Sequence, residues 1–178
     1  VGYNTDEGSI TGCYAEATVQ SEGPYIGGLA GNNRGSMTDS HAISDVTGDY
    51  CVGGLTGNNG GIINNSYANG NVEGTSQVGG LIGLNEYESH PVTASYFTGT
   101  VTASGDYTGG LVGKNSGGSI EGCHGDATVT GDGDYAGGLV GSSIGLITGS
   151  CSTGVVTGGS YLGGDKTVSV TVKNHIYA

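Results

Sequence analysis

Tryptophan is absent, and the 178 residues include one Phe, one Met and only two Pro. With so few large apolar side chains, the chain cannot fill the interior of an ordinary globular domain, and any core must be thin. Four basic residues (Arg34, Lys114, Lys166, Lys173) face sixteen acidic ones, for a net charge of −12. A surface so short of Lys and Arg cannot neutralise a row of phosphates, which excludes nucleic acid as a partner. No apolar run approaches the roughly 18 residues of a membrane span, so no spanning helix is expected. No signal-peptide pattern precedes Val1, a start that fits a processed mature chain or a cloned fragment. The glycine triplet period is missing as well, which excludes collagen.

What the chain has in excess is glycine, 40 residues of it, placed at regular intervals. Gly-Gly pairs recur at 27–28, 53–54, 79–80, 109–110, 137–138 and 163–164, at intervals of 26, 26, 30, 28 and 26. Aligned on these pairs, other columns fall into line. Leu29, Leu55, Leu81, Leu111 and Leu139 follow the pair, and Asn33, Asn59, Asn85 and Asn115 stand four further on, with Ser143 as a departure. An apolar column comprises Ile10, Met37, Ile63, Val92, Ile120 and Ile147. A small column comprises Cys13, Ser40, Ser66, Ser95, Cys123 and Ser150, and a valine column closes each unit from Val19 to Val156. Such coupled spacing over 34% apolar residues argues against disorder.

The clearest copy, GGLTGNNGGIINNSYANGNVEG from Gly53, closely resembles the GLUG repeat, named for its Gly-Leu-Gly signature. The resemblance extends over nearly the whole chain to Gly164. It implies a setting in large secreted or surface bacterial and archaeal proteins, among them adhesin-like proteins and the non-catalytic parts of some immunoglobulin-A peptidases. The repeat itself contributes no catalytic residues.

Within each unit, apolar residues alternate with polar or small ones over about 5–8 residues between glycine turns, which predicts strands. One unit cannot bury its apolar face alone; stacked units can, each side chain resting on its equivalent one coil away. The expected fold is therefore all-β, a parallel β-solenoid of about six coils of 26–30 residues. At about 4.8 Å per coil it would form a rod roughly 29 Å long. Residues 1–164 would form the solenoid, and 165–178 a terminal segment that caps it or exchanges with a neighbour. In that segment Thr167, Val168, Val170 and Val172 alternate as one more strand, a candidate for assembly. The Gly-Gly pairs are expected at corners that need positive φ, and the Asn column is expected to bond to turn backbone or to form ladders.

Cys13, Cys51, Cys123 and Cys151 show no metal-knuckle spacing. Cys13 and Cys123 share a column but lie four coils apart, about 19 Å, beyond disulfide reach. Cys51 stands where other coils have Tyr25, Gln77, Tyr107, Tyr135 and Tyr161, and Cys151 is offset by one residue from Cys123. Three readings stay open: buried thiols, cross-links between chains, and bonds within an irregular coil. The tyrosines form two columns, and Tyr25, Tyr107, Tyr135 and Tyr161 are candidates for lateral contact. His41 and His124 share the second column with Tyr14, Tyr67 and Tyr96. Loop carboxylates (Asp45, Asp49, Asp106, Asp126, Asp132, Asp134) raise calcium ligation or polysaccharide chemistry as rivals to a solvated loop, but no calcium-binding loop pattern is present. Asn64-Asn65-Ser66 is a glycosylation sequon whose Ser belongs to the small column. A regular Thr-x-Thr array, the flat face of an ice binder, is not expected. Taken together, the residues favour a non-enzymatic, cofactor-free structural protein of the cell surface that assembles with itself into a sheath, fibre or layer. The alternative is an adhesin segment that recognises carbohydrate or a host protein, and the weaker one a polysaccharide-active enzyme.

Overall fold

A computed structural model describes residues 1–159 together with the strand residues 167–168 and 172–173. The described chain is all-β and winds as a parallel solenoid of about six turns, as the repeat predicts. Each turn contributes one strand to each of several faces. The first face stacks Tyr3–Asn4, Ala30–Asn33, Thr56–Asn59, Ile82–Asn85, Val112–Asn115 and Val140–Ser143. The second stacks Ser9–Thr11, Ser36–Thr38, Ile62–Asn64, Val92–Thr93, Ile120–Glu121 and Ile147–Thr148. The third, longest face runs from Tyr14–Gln20 through His41–Thr47, Tyr67–Gly74, Tyr96–Ala103 and His124–Gly131 to the short strands Cys151–Thr153 and Val156–Gly158. A fourth joins Pro24–Gly27, Tyr50–Gly53, Ser76–Gly79, Thr108–Gly109 and Ala136–Gly137.

Hydrogen-bonded register reproduces the sequence columns: Val46 pairs with Val72, Val72 with Val101, and Val101 with Val129. The interior is correspondingly thin. The Leu column from Leu29 to Leu139 and the Val column from Val46 to Val156 are buried, with Met37, Ile63, Val92 and Ile120. Fully burying each such side chain is worth about 1.5–3 kcal/mol. The single Phe, Phe97, is fully buried in a column otherwise held by Ala15, Ala42, Ala68, Gly125 and Ser152. It fits because Gly80, facing its ring, has no Cβ; one added there would collide with the Phe97 ring.

Beside this apolar core runs a polar one. Asn4, Asn33, Asn59, Asn85 and Asn115 are all buried, and each Nδ2 donates to the Oδ1 of the next coil at 2.7, 2.8, 2.8 and 3.0 Å, ending on Ser143 Oγ at 3.0 Å. The amide also reaches the loop backbone, as where Asn59 Nδ2 donates to Gly61 O at 2.9 Å. An amide is suited to this role because it offers both a donor and an acceptor to identical neighbours. The small column behaves similarly: the Ser66 and Ser95 hydroxyls accept from the backbone N–H of Ser40 and Ser66, at 3.2 and 3.1 Å.

The Gly-Gly pairs hold their positions for a different reason than expected. None of the described pairs has positive φ. They are glycine because the backbone comes too close. A Cβ on the first of a pair would meet the carbonyl three residues on in its own coil, as Gly53 would meet Thr56 O, and a Cβ on Gly54 would meet the Gly80 carbonyl oxygen of the next coil and the Ala68 methyl. The left-handed positions lie elsewhere. One per coil precedes the small column, at Gly12, Asp39, Asn65, Ala94, Gly122 and Gly149, with φ of 45 to 60°. A second occupies Tyr25, Cys51, Gln77 and Tyr107, with φ of 53 to 66°. Tertiary stacking holds these non-glycine residues in a conformation that costs about 1–2 kcal/mol each.

Beyond the last coil, the backbone of Thr167–Val168 pairs antiparallel with Val156–Thr157, and that of Val172–Lys173 with Cys151–Ser152. Val170 and Tyr161 lie outside the described residues.

Two substitutions separate crowding from conformation. Gly54→Ala is expected to destabilise by about 3 kcal/mol. Gly122→Asn, at φ +60° with no atom within 4 Å of an added Cβ, should cost under about 1 kcal/mol. The urea midpoint at constant m-value measures both. In the polar core, Asn59→Ala removes one donor and one acceptor from the ladder and is expected to cost about 2–4 kcal/mol. Asn64→Ala, on the exposed face, should stay within about 0.5 kcal/mol.

Candidate functional site

With the interior occupied by ladders, the chemistry left to the surface lies in rows along the rod. The most regular is aromatic. Tyr14, His41, Tyr67, Tyr96 and His124 occupy one column of the long face and stack ring on ring, with centroids 5.6, 4.6, 4.8 and 4.9 Å apart and planes within 14° of parallel. The strand spacing sets these distances. His41 and His124 are members of this stack, three coils apart. Burial, then the neighbouring Tyr67 phenol, pushes the Tyr96 hydroxyl above its ordinary value. This five-ring row was visible in the sequence only as a shared column; that its members stack without interruption required the register.

The other tyrosine column is broken. Tyr25 is exposed, Cys51 and Gln77 interrupt the row, and beyond them Tyr107 and Tyr135 stack at 5.0 Å and 6°. The Lys114 ammonium lies 4.8 Å from the Tyr107 ring centre, a cation–π contact. In the inserted stretch of the fourth coil, Tyr87 lies across Gly60, with the Arg34 guanidinium 6.0 Å from its ring.

The four cysteines are free thiols that differ sharply in access. Cys51 is fully buried and donates to Gln77 Oε1 at 3.2 Å, while the Gln77 amide bonds to the Tyr50 hydroxyl. Burial, then the nearby Glu86 carboxylate, pushes the Cys51 thiol up to about 12. Cys123 is also buried, its thiol raised chiefly by desolvation, and it takes the place of a column serine by bonding to the Glu121 and Val92 carbonyls. Cys13 is exposed and Cys151 half-buried beside His124. Neither Cys51 nor Cys123 can reach a second chain without the coil opening.

Loop and face carboxylates serve neighbouring coils. Asp45 Oδ1 accepts from Asn71 N and Nδ2 at 3.0 and 2.8 Å, Asp106 Oδ1 from Asp134 N at 2.8 Å, and Asp126 Oδ1 from the Thr153 hydroxyl at 2.9 Å. No three His, Cys, Asp or Glu side chains converge as a metal cage among the described residues. Asn64 is exposed and donates to Thr93 Oγ1 at 2.8 Å, while the sequon hydroxyl of Ser66 is buried and bonded to Asn64 O. Some threonines do fall into register on the long face, Thr100 with Thr128 and Thr102 with Thr130 and Thr157. Asn71, Glu73, Asp126 and Val155 break the array. A depression of about 640 Å³ lies against the first two coils, lined by Gln20, Ser21, Glu22, Thr47, Gly48 and Asp49.

One complete circuit of the coil, with Leu111, Asn115, Ile120, Cys123 and Val129 in their columns, lies within residues 104–130, and this segment matches the family model of the GLUG motif. The chain carries a GLUG motif. The remaining coils place the same columns in hydrogen-bonded register with that segment, which is consistent with a GLUG-repeat protein. No curated protein and no solved structure matches the chain.

The thiols offer a direct check on this arrangement. In the native protein at pH 8, a water-soluble disulfide reagent is expected to titrate Cys13 quickly, Cys151 slowly, and Cys51 and Cys123 not at all. All four should react after unfolding. The thiolate is the reactive form, so Cys51 in the folded chain should begin to react only as the pH approaches about 12. A native titre of four thiols at pH 8 would contradict the structure.

Proposed function

We propose that this GLUG solenoid is a non-catalytic, extracellular structural segment that joins other copies by lateral or edge contacts into a sheath, fibre or layer at the cell surface. The observation that carries the reading is the unbroken amide ladder from Asn4 to Asn115. It commits a buried amide of each coil to holding the next coil, an arrangement that suits a rod. The exposed Cys13 and half-buried Cys151 are the thiols that could join chains in an oxidising compartment. Residues 167–168 and 172–173 are strands at one end of the rod, where edge pairing would occur.

The adhesin alternative relies on aromatic rings to receive a sugar. Carbohydrate C–H groups stack on the electron-rich face of a ring, but in the five-ring row the faces of the inner rings are turned toward one another. That leaves ring edges and polar tips outward, a surface better fitted to lateral packing. The enzyme alternative would rest on surface carboxylates, and those of Asp106 in its loop and Asp126 on the long face are engaged by backbone or threonine donors of the next coil.

A charge of −12 on each chain opposes close packing of copies and is screened within about 8 Å at physiological ionic strength. Sedimentation and electron microscopy of the oxidised chain should therefore show polymers that lengthen or bundle with added salt and shorten with reductant. A monomer at every salt concentration under oxidising conditions would refute assembly. Selective retention on a glycan array by that monomer would support the adhesin reading instead.

A further inference from the structure

Two of the ring stacks join tyrosine to tyrosine. Tyr67 and Tyr96 are in-register strand partners with ring centroids 4.8 Å apart and planes at 5°. Tyr107 and Tyr135 stand in adjacent coils at 5.0 Å and 6°. All four side chains are half-buried, so each ring is held by the coil yet open to small molecules at its outer end. The other tyrosine of the long row, Tyr14, is separated from Tyr67 by His41, with centroids 5.6 and 4.6 Å away on its two sides. Tyr25 has Cys51 as its neighbour in the next coil.

We propose that Tyr67 with Tyr96, and Tyr107 with Tyr135, are sites of oxidative phenol coupling, where a peroxide-driven one-electron oxidant links adjacent coils through a carbon–carbon bond. Each phenol gives up one electron and its hydroxyl proton to become a phenoxyl radical, whose unpaired electron is shared with the ring carbon ortho to the oxygen. Two such carbons pair their electrons in a new bond, and the hydrogen on each then moves to its phenoxyl oxygen, restoring both phenols. In sum, two tyrosines and one hydrogen peroxide give one dityrosine and two waters.

The fold supplies what this coupling ordinarily lacks, which is the encounter of two rings. The backbone ladder holds them in contact, so the association entropy is already spent in folding. All four rings are half-buried, so part of each faces solvent, where a small oxidant can reach it. Each link would tie positions 29 or 28 residues apart, 67 to 96 and 107 to 135, and so restrict the unfolded chain much as a disulfide does. The thiols on this rod give no such intrachain link, since the four cysteines are free. The inference concerns bonds within one chain and does not require the copies to assemble. A failure of assembly would leave it intact, and its own failure would leave the structural reading intact.

The test treats dilute full-length chain, its accessible thiols first blocked by alkylation and the reagent removed, with a haem peroxidase and limiting hydrogen peroxide. The expected product is a monomer with dityrosine fluorescence, lighter by two hydrogens per link. It should yield linked proteolytic peptides joining 67 to 96 and 107 to 135, and have a raised urea midpoint. Tyr67→Phe, which keeps a ring in the stack, should remove the first link alone, and Tyr135→Phe the second alone. Circular dichroism matching the parent would confirm that both variants fold. The proposal is overturned if dityrosine forms only in covalent dimers, if the linked peptides join other tyrosines, or if the urea-unfolded chain couples as efficiently as the native one. Absence of dityrosine where free tyrosine couples would overturn it equally.

Discussion

Every feature of this molecule follows from one constraint, the in-register parallel hydrogen bonding of each coil to the next. Side chains at equivalent positions are forced to lie on one another at about the strand spacing of 4.8 Å, so the repeat is selected for residues that tolerate contact with a copy of themselves. Leu, Ile and Val do so by apolar contact, and they make the thin core. Asparagine does so by hydrogen bonding, with one donor and one acceptor per step, and it makes the buried amide ladder from Asn4 to Asn115. Aromatic rings do so by stacking.

Charge cannot satisfy this rule, and the acidic residues show how the chain avoids the conflict. On the paired strands, Asp45 is flanked by Thr18 and Asn71, Glu73 by Thr47 and Thr102, Glu121 by Thr93 and Thr148, and Asp126 by Thr98 and Thr153. Each carboxylate rests between neutral side chains, and Asn71 and Thr153 donate to theirs, since like charges directly opposite each other are destabilising. A net charge of −12 is thus spread over the surface without an acidic pair in these four registers; where Asp106 and Asp134 do fall at equivalent positions of adjacent coils, the Asp134 N–H donates to Asp106 Oδ1.

Much of the fold was legible in the sequence because stacking turns three-dimensional neighbours into alignment columns. The Leu, Val, Asn and small columns could be read directly, and they gave the architecture. The role of the Gly-Gly pairs was not legible. A recurring glycine suggests positive φ, yet the pairs answer to nearby carbonyls, one in their own coil and one in the next, a clash visible only in three dimensions. Conversely, the left-handed corners at Tyr25, Cys51, Gln77 and Tyr107 have no residue signature at all, since the surrounding stack imposes them. Asn4 escaped the Asn column because no Gly-Gly pair precedes it to set the alignment. The cysteines shared the same limit: two of the four sit at buried column positions, and alternation alone did not show that Cys51 lies sealed beneath its corner.

The same constraint bears on what the surface can do. A binding site normally brings unlike groups together in a concave place, with convergent polar atoms and a dry wall. A solenoid of near-identical coils brings like groups together along lines, so its surfaces are repetitive and extended. Departures from the repeat are where unlike chemistry meets: Cys51 against Gln77 and Tyr50, Tyr87 over Gly60 and beside Arg34, Lys114 over Tyr107. In these places the odd residue is engaged by the coil itself, its thiol, ring or ammonium turned onto a neighbour. The irregularities therefore reinforce the rod, and the regular rows, above all the five-ring stack, are what the molecule offers outward. A surface built from lines suits partners that are themselves linear and periodic, the geometry on which the proposed assembly with other copies rests.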